Sequence, residues 1–171
     1  MEIIEYFTTD NKEYWLKKIE KCDWGAGKFL HQLLSEGNLK KMVGETALVP
    51  MLVDKDELIA FCTFAPLDDI QPTNLSPWIG FVYTFPEYRG NHYAGMLLDY
   101  AESLATVMER EYIYISTNHI GLYEKYGYEF YKIEKDIGGE DSRIYRKALA
   151  TDDGESVEEG LKILEDLETQ A

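Results

Sequence analysis

Arg89, Gly90, Asn91, His92, Tyr93, Ala94 and Gly95 stand together between an apolar run, Trp78 to Phe85, and a long helical pattern. Pro86 stops the run, and the helix opens almost at once. A strand that ends in a small-residue loop and feeds a helix leaves several backbone N–H groups unpaired. With the positive end of the helix dipole, those donors form a site for phosphate. The chemistry of this chain is therefore expected to begin with a phosphorylated ligand held at this loop.

The elements that position the loop can be read from spacing and turn residues. Ile3 to Phe7 suggest a first strand, and Asp10 with Glu13 reads as a capping box opening a helix to about Lys21. A second helix spans about Ala26 to Ser35, closed by Gly37. Thr46 to Val53 and Leu58 to Ala65, joined by a polar turn, form an antiparallel hairpin. A loop with two prolines, Asp68 to Pro77, leads into the Trp78–Phe85 strand. The following helix runs from about His92 to Glu109 with Leu97, Ala101, Leu104 and Met108 on its buried stripe. A strand at Tyr112–Ser116, a short helix from Gly121 to Tyr126, and a hairpin of Tyr128–Ile133 with Arg143–Leu149 complete the pattern. Ser156 and Glu159 read as a capping box opening a final helix with Val157, Leu161, Leu164 and Leu167 on its apolar stripe. A hairpin directly before the phosphate loop argues against a doubly wound nucleotide fold and for an α+β, or mixed α/β, sheet.

Composition narrows the function. With 171 residues, 45% apolar and 29% charged, the chain can bury a real core as one domain. No apolar run is long enough to cross a bilayer. The acidic start lacks the layout of a secretion signal, and Cys22 and Cys62 are too few and too far apart for a disulfide framework or metal cluster. A cytoplasmic protein without a metal or a membrane partner is expected. The net charge of −15 argues against nucleic acid and favours a cationic acceptor. Residues 151–171 carry eight acids and one base, so −7 sits in the tail and −8 in residues 1–150. An anion must then be held by local donors: backbone amides, Arg89 and His92.

The Arg89–Ala94 stretch resembles the Arg/Gln-x-x-Gly-x-Gly/Ala signature of the GNAT N-acetyltransferases, with His92 where the family usually has glycine. That substitution suits the site if His92 takes an ordinary helical conformation. Tyr123-Glu124-Lys125-Tyr126-Gly127-Tyr128 is similar to the family's Tyr-x-Lys-x-Gly-Phe segment, with Tyr128 for phenylalanine. The resemblance spans roughly residues 1–149, followed by an acidic amphipathic helix at 150–171. It implies a mostly antiparallel sheet of six to seven strands, splayed between the fourth and fifth and flanked by helices.

The resemblance further implies acetyl-CoA as cosubstrate and a primary amine as acceptor. Gly90, Asn91, His92, Tyr93, Ala94 and Gly95, with Arg89, would hold the pyrophosphate. Val82, Tyr83 and Thr84 would offer main-chain groups to the pantetheine arm, with Asn118 and Lys125 as further cofactor contacts. A main-chain N–H near Tyr83 would stabilise the oxyanion, and Tyr123 would protonate the departing thiolate. A phenol, with a pKa of about 10, can share its proton with a thiol. No Asp or Glu lies on the Trp78–Phe85 or Tyr112–Ser116 strands, which leaves His119 or a water chain as the base. Asp23 and Trp24 could recognise a cation by charge and ring face. Asp68 and Asp69 are alternative partners, although loop acids are usually only solvated. The expected acceptor is a small cationic amine. Alternatives are a protein or peptide N-terminus, or an acyl-CoA sensor that transfers nothing. The apolar stripe of the final helix would allow docking or a homodimer.

Overall fold

A computed structural model describes residues 1–150 and 154–170. The strands are β1 (Glu2–Glu5), β2 (Pro50–Asp54), β3 (Glu57–Ala65), β4 (Trp78–Thr84), β5 (Tyr112–Ser116), β6 (Glu129–Lys135) and β7 (Asp141–Ala148). They form one sheet in the order β1-β2-β3-β4-β5-β7-β6. Every neighbouring pair is antiparallel except β4 with β5. Those two run parallel and pair only at Trp78 with Tyr114 and Ile79 with Ile115. From Gly80 onward β4 leaves β5, so the expected splay is present.

A local irregularity accompanies the splay. Between the pairs Phe61–Tyr83 and Thr63–Gly80, Cys62 alone faces both Phe81 and Val82. This is a β-bulge, and Phe81 takes the left-handed conformation at φ 52° that lets the extra residue fit.

Helices cover both faces. One face carries α1 (Lys12–Glu20), α2 (Gly25–Ser35) and α3 (Leu39–Val43), whose buried Trp15, Ile19, Leu30, Leu39 and Val43 share a core with Met51, Phe61 and Tyr83. The other carries α4 (Tyr93–Val107), whose Leu97, Leu98, Ala101 and Leu104 pack on Ile59, Cys62 and Ile79. The last helix, α5 (Gly154–Gln170), docks on α4. Gly160 sits against the Ser103 carbonyl, where any side chain would collide. Among the described residues no helix is long and apolar enough to cross a membrane.

The two expected capping boxes do not form. Asn11 precedes α1 without a side-chain cap, and α5 already includes Ser156. Leu161 is exposed, while Ile163 and Leu164 reach the core, because the close approach at Gly160 sets the docked face. Met108, read as the end of the α4 stripe, caps that helix and is exposed. The turn at Gly37 forms as expected. Its φ is +69°, and the Asn38 N–H returns to the Leu33 carbonyl at 2.8 Å.

Candidate functional site

Two cavities adjoin at the β4 bulge. The first, about 400 Å³, is lined by Val82 and Thr84 of β4, Arg89, Gly90, His92, Tyr93 and Ala94 of the loop, and Lys125 with Tyr126. The second, about 310 Å³, is lined by Trp24, Phe29, Phe81, Asp68, Asp69 and Asp136, with Ser116 and the turn at Ile137–Gly138. Phe81 faces one and Val82 the other, so the slot opened by the splay joins them.

The first cavity is built from backbone. Among the described residues, the N–H groups of Gly90, Asn91, His92, Tyr93 and Ala94 find no backbone acceptor. Gly90 at φ +86° and His92 at φ 58° are both left-handed, which turns successive amides toward one side as an anion-binding concavity. His92 is thus not in the ordinary helical conformation expected of it. It caps α4 in a conformation that costs a non-glycine residue about 1–2 kcal/mol. Asn91 does not line this cavity; its side chain donates to the carbonyls of Tyr88 (3.0 Å) and Arg89 (3.4 Å), holding the loop. Gly95 is required by close approach, since a Cβ there would lie 2.8 Å from the Tyr126 ring.

The ladder decides which β4 amides face the slot. Phe85 N–H donates to the Ile59 carbonyl at 3.0 Å. Antiparallel alternation then turns the main-chain groups of Tyr83 toward β3, and those of Val82 and Thr84 away from it. Arg89 confirms the direction, because its Nε reaches the Thr84 carbonyl at 2.9 Å. The Tyr83 N–H is therefore spent in the sheet and is no oxyanion donor. Its side chain lies in the α1–α2 core, where the hydroxyl donates to Asp23 Oδ1 at 2.7 Å and the ring stacks on Trp24 at 5.8 Å. That hydrogen bond holds the Asp23 carboxyl below its usual pKa. Asp23 lies outside the acidic cavity, whereas Trp24 lines it.

Asn118 and His119 fall away from both cavities. The Asn118 amide is tied to β7, accepting from Arg143 N–H (3.3 Å) and donating to the Asp141 carbonyl (3.4 Å). His119 is exposed, its N–H donating to Thr117 Oγ1. Tyr123 is buried in the core beside Tyr128, and burial pushes its phenol up. Tyr128, where phenylalanine was expected, satisfies its hydroxyl on Glu102 Oε2 at 3.1 Å. Glu102 is in turn paired with Lys147 at 2.6 Å, so the added oxygen is accommodated rather than orphaned.

The second cavity contains Asp68 and Asp69, offered by the sequence as alternative cation partners although loop acids are usually solvated. Both are drawn inward at the splay, and Asp68 is only 7% exposed. Asp136 joins them from the β6–β7 turn, where its carboxylate accepts from Gly138 N–H (2.8 Å) and Glu140 N–H (3.0 Å). Ile137 N–H donates to the Asp69 carbonyl at 2.8 Å and closes the turn over the β3–β4 loop. No basic side chain lines this cavity, and no group of three or more metal-ligating side chains stands among the described residues. Acid walls with three aromatic rings suit a cationic amine. The adjacency of two acids was the available signal, but nothing local marked them as buried.

Comparison with known proteins places this arrangement. The sequence model of the acetyltransferase (GNAT) family matches residues 5–128. No curated protein matches the sequence significantly. Among solved structures, an aminoglycoside 6'-acetyltransferase type Ii superposes with a TM-score of 0.65 at 19% identity, covering 88% of this chain and 98% of that one. The aminoglycoside 6'-N-acetyltransferase of Enterococcus faecium gives 0.62 at 15% identity, with the same coverage. An aminoglycoside 6'-N-acetyltransferase complexed with coenzyme A gives 0.58 at 14%, covering 88% and 98%. At such identities the likeness is one of fold. The family match spans most of the chain, and the chain belongs to the GNAT acetyltransferase family.

Proposed function

We propose that this GNAT acetyltransferase moves the acetyl group of acetyl-CoA onto a primary amine of a small, cationic acceptor by direct attack in the β4–β5 slot. The observation that carries the reading is the meeting of two unlike cavities at the bulge: an amide-lined one on the Val82 side and an acidic, aromatic one on the Phe81 side. Support for the acceptor also comes from the aminoglycoside acetyltransferases that share the fold.

The pyrophosphate would rest on the Gly90–Ala94 amides, with Lys125 supplying charge at the rim. Pantetheine would lie along Val82 and Thr84 as an added edge. The oxyanion donor becomes the Val82 N–H, the free amide nearest the bulge, in place of Tyr83. Tyr123 would stand as the proton source for the thiolate. Burial raises its pKa, which keeps the phenol protonated but makes it a weaker acid, so its proton would pass only as the C–S bond breaks and charge gathers on sulfur.

The test is release of CoA thiol from acetyl-CoA across kanamycin, spermidine, free amino acids and short peptides. Transfer to the polycationic amines, well above that to amino acids and peptides, is expected. Preferential transfer to peptide N-termini would replace the reading with a protein acetyltransferase. Acetyl-CoA binding with no transfer to any amine would replace it with a sensor.

A further inference from the structure

We infer that Asp68 and Asp69 act as one proton-accepting pair, taking a proton from the acceptor ammonium so that a neutral amine attacks the thioester. The inference rests on the acceptor reading above. Asp68 lies against β4 at Gly80, where a Cβ would collide with Asp68 Oδ1 and also crowd Thr63 Oγ1. Glycine at position 80 is thus what admits a carboxyl beside the slot. Asp68 and Asp69 are neighbours in the chain that line the same cavity, and the charge of Asp69 disfavours the charged form of Asp68, an opposition that one shared proton relieves. Asp69 Oδ1 is buried with no hydrogen-bond partner among the described residues.

The groups facing the pair leave its charge uncompensated. Asp136 faces it from the β6–β7 turn, the Ser116 hydroxyl from β5 and the Thr63 hydroxyl from β3, while the Tyr123 phenol, which lines neither cavity, feels the charge of Asp68 from the core. Among the described residues no Lys, Arg or His lines the cavity, so the cation placed to meet the pair there is the substrate. Burial, then the charge of Asp69, pushes Asp68 up to about 8, and burial raises Asp69 as well. A base with a pKa near the working pH is well placed to take an ammonium proton.

The protons balance. One ammonium N–H bond breaks and its proton passes to the pair. The freed nitrogen lone pair forms the C–N bond at the thioester carbon, with the oxyanion on the Val82 N–H. Collapse breaks the C–S bond, and the second nitrogen proton reaches the thiolate through Tyr123. The third stays on the amide, and the pair returns its proton to water.

Asp68→Asn and Asp69→Asn test this with kanamycin and spermidine as acceptors, reading kcat/KM against pH together with the acetyl-CoA Kd. Each variant is expected to lose about a hundredfold in kcat, and to lose the rise in kcat/KM near pH 8, with acetyl-CoA Kd unchanged. A second measurement needs no acceptor. The folded Asp68 keeps its proton to about pH 8, whereas an unfolded aspartate releases it near pH 3.9. The folded state binds more protons between those values, so stability falls as pH rises across them, and Asp68→Asn should flatten the fall. Variants that keep the wild-type pH profile would overturn the pair while leaving the acetyltransferase reading in place. A wild-type protein that acetylates no amine would defeat both.

Discussion

The two cavities either side of the β4 bulge are made by opposite means. The amide-lined cavity takes most of its wall from one continuous stretch, Val82 to Ala94, and the contacts proposed for its ligand are main-chain amides. The acidic cavity draws on the α1–α2 link, α2, α3, the β3–β4 loop, β4, β5 and the β6–β7 turn, and its acids and rings are side chains. A backbone site tolerates changes of side chain, provided the chain can still hold its φ values. A side-chain site assembled from seven places fails when any one of them shifts. On the proposed reading, donor binding and acceptor choice can therefore be changed independently.

The sharpest way to break that contrast is Gly80→Ala. The new Cβ would displace Asp68, so amine turnover should fall about a hundredfold while acetyl-CoA Kd moves little; parallel loss of both would show the cavities to be one unit. Next, Tyr123→Phe should lower kcat at least about tenfold with acetyl-CoA affinity preserved, and an unchanged kcat would remove the phenol from the reaction. Trp24→Ala should raise KM for the amine by about five- to tenfold, the scale of one cation–π contact, without altering thioester binding. The smallest effect is expected of His92→Gly. His92 would contribute to the proposed phosphate site through its backbone amide, and glycine adopts the same left-handed conformation, so CoA affinity should be equal or slightly higher, measured by calorimetry. A large loss would mean that the imidazole itself binds phosphate.

What could be read in the sequence follows the same division. The strand–loop–helix that carries the proposed phosphate site was legible because its parts are consecutive, and because Gly90 and Ala94 sit at fixed offsets. The hairpins were legible from alternation and turn residues. The direction of the Tyr83 amide was not, since it depends on register with β3, a strand some twenty residues earlier. His92 had been expected to be helical; its φ is a property of the packed loop. Asp68 and Asp69 could be named as alternative cation partners, but their burial could not be read, because it is set by Gly80 and by Ile137 N–H closing from the far hairpin. Asn118 and His119 lie near the expected segment in sequence yet point to β7 and to solvent.

The brief parallel contact of β4 with β5 has a mechanical consequence. Four strands on one side and three on the other are joined across the sheet by only two residue pairs, Trp78–Tyr114 and Ile79–Ile115. A bound pantetheine arm would act as the missing length of strand, bridging halves that the polypeptide leaves unstitched. Binding energy would then be shared between holding the cosubstrate and clamping the sheet. Amides of Val82 and Thr84 should exchange with solvent fastest in the free protein and slow most when the thioester arrives.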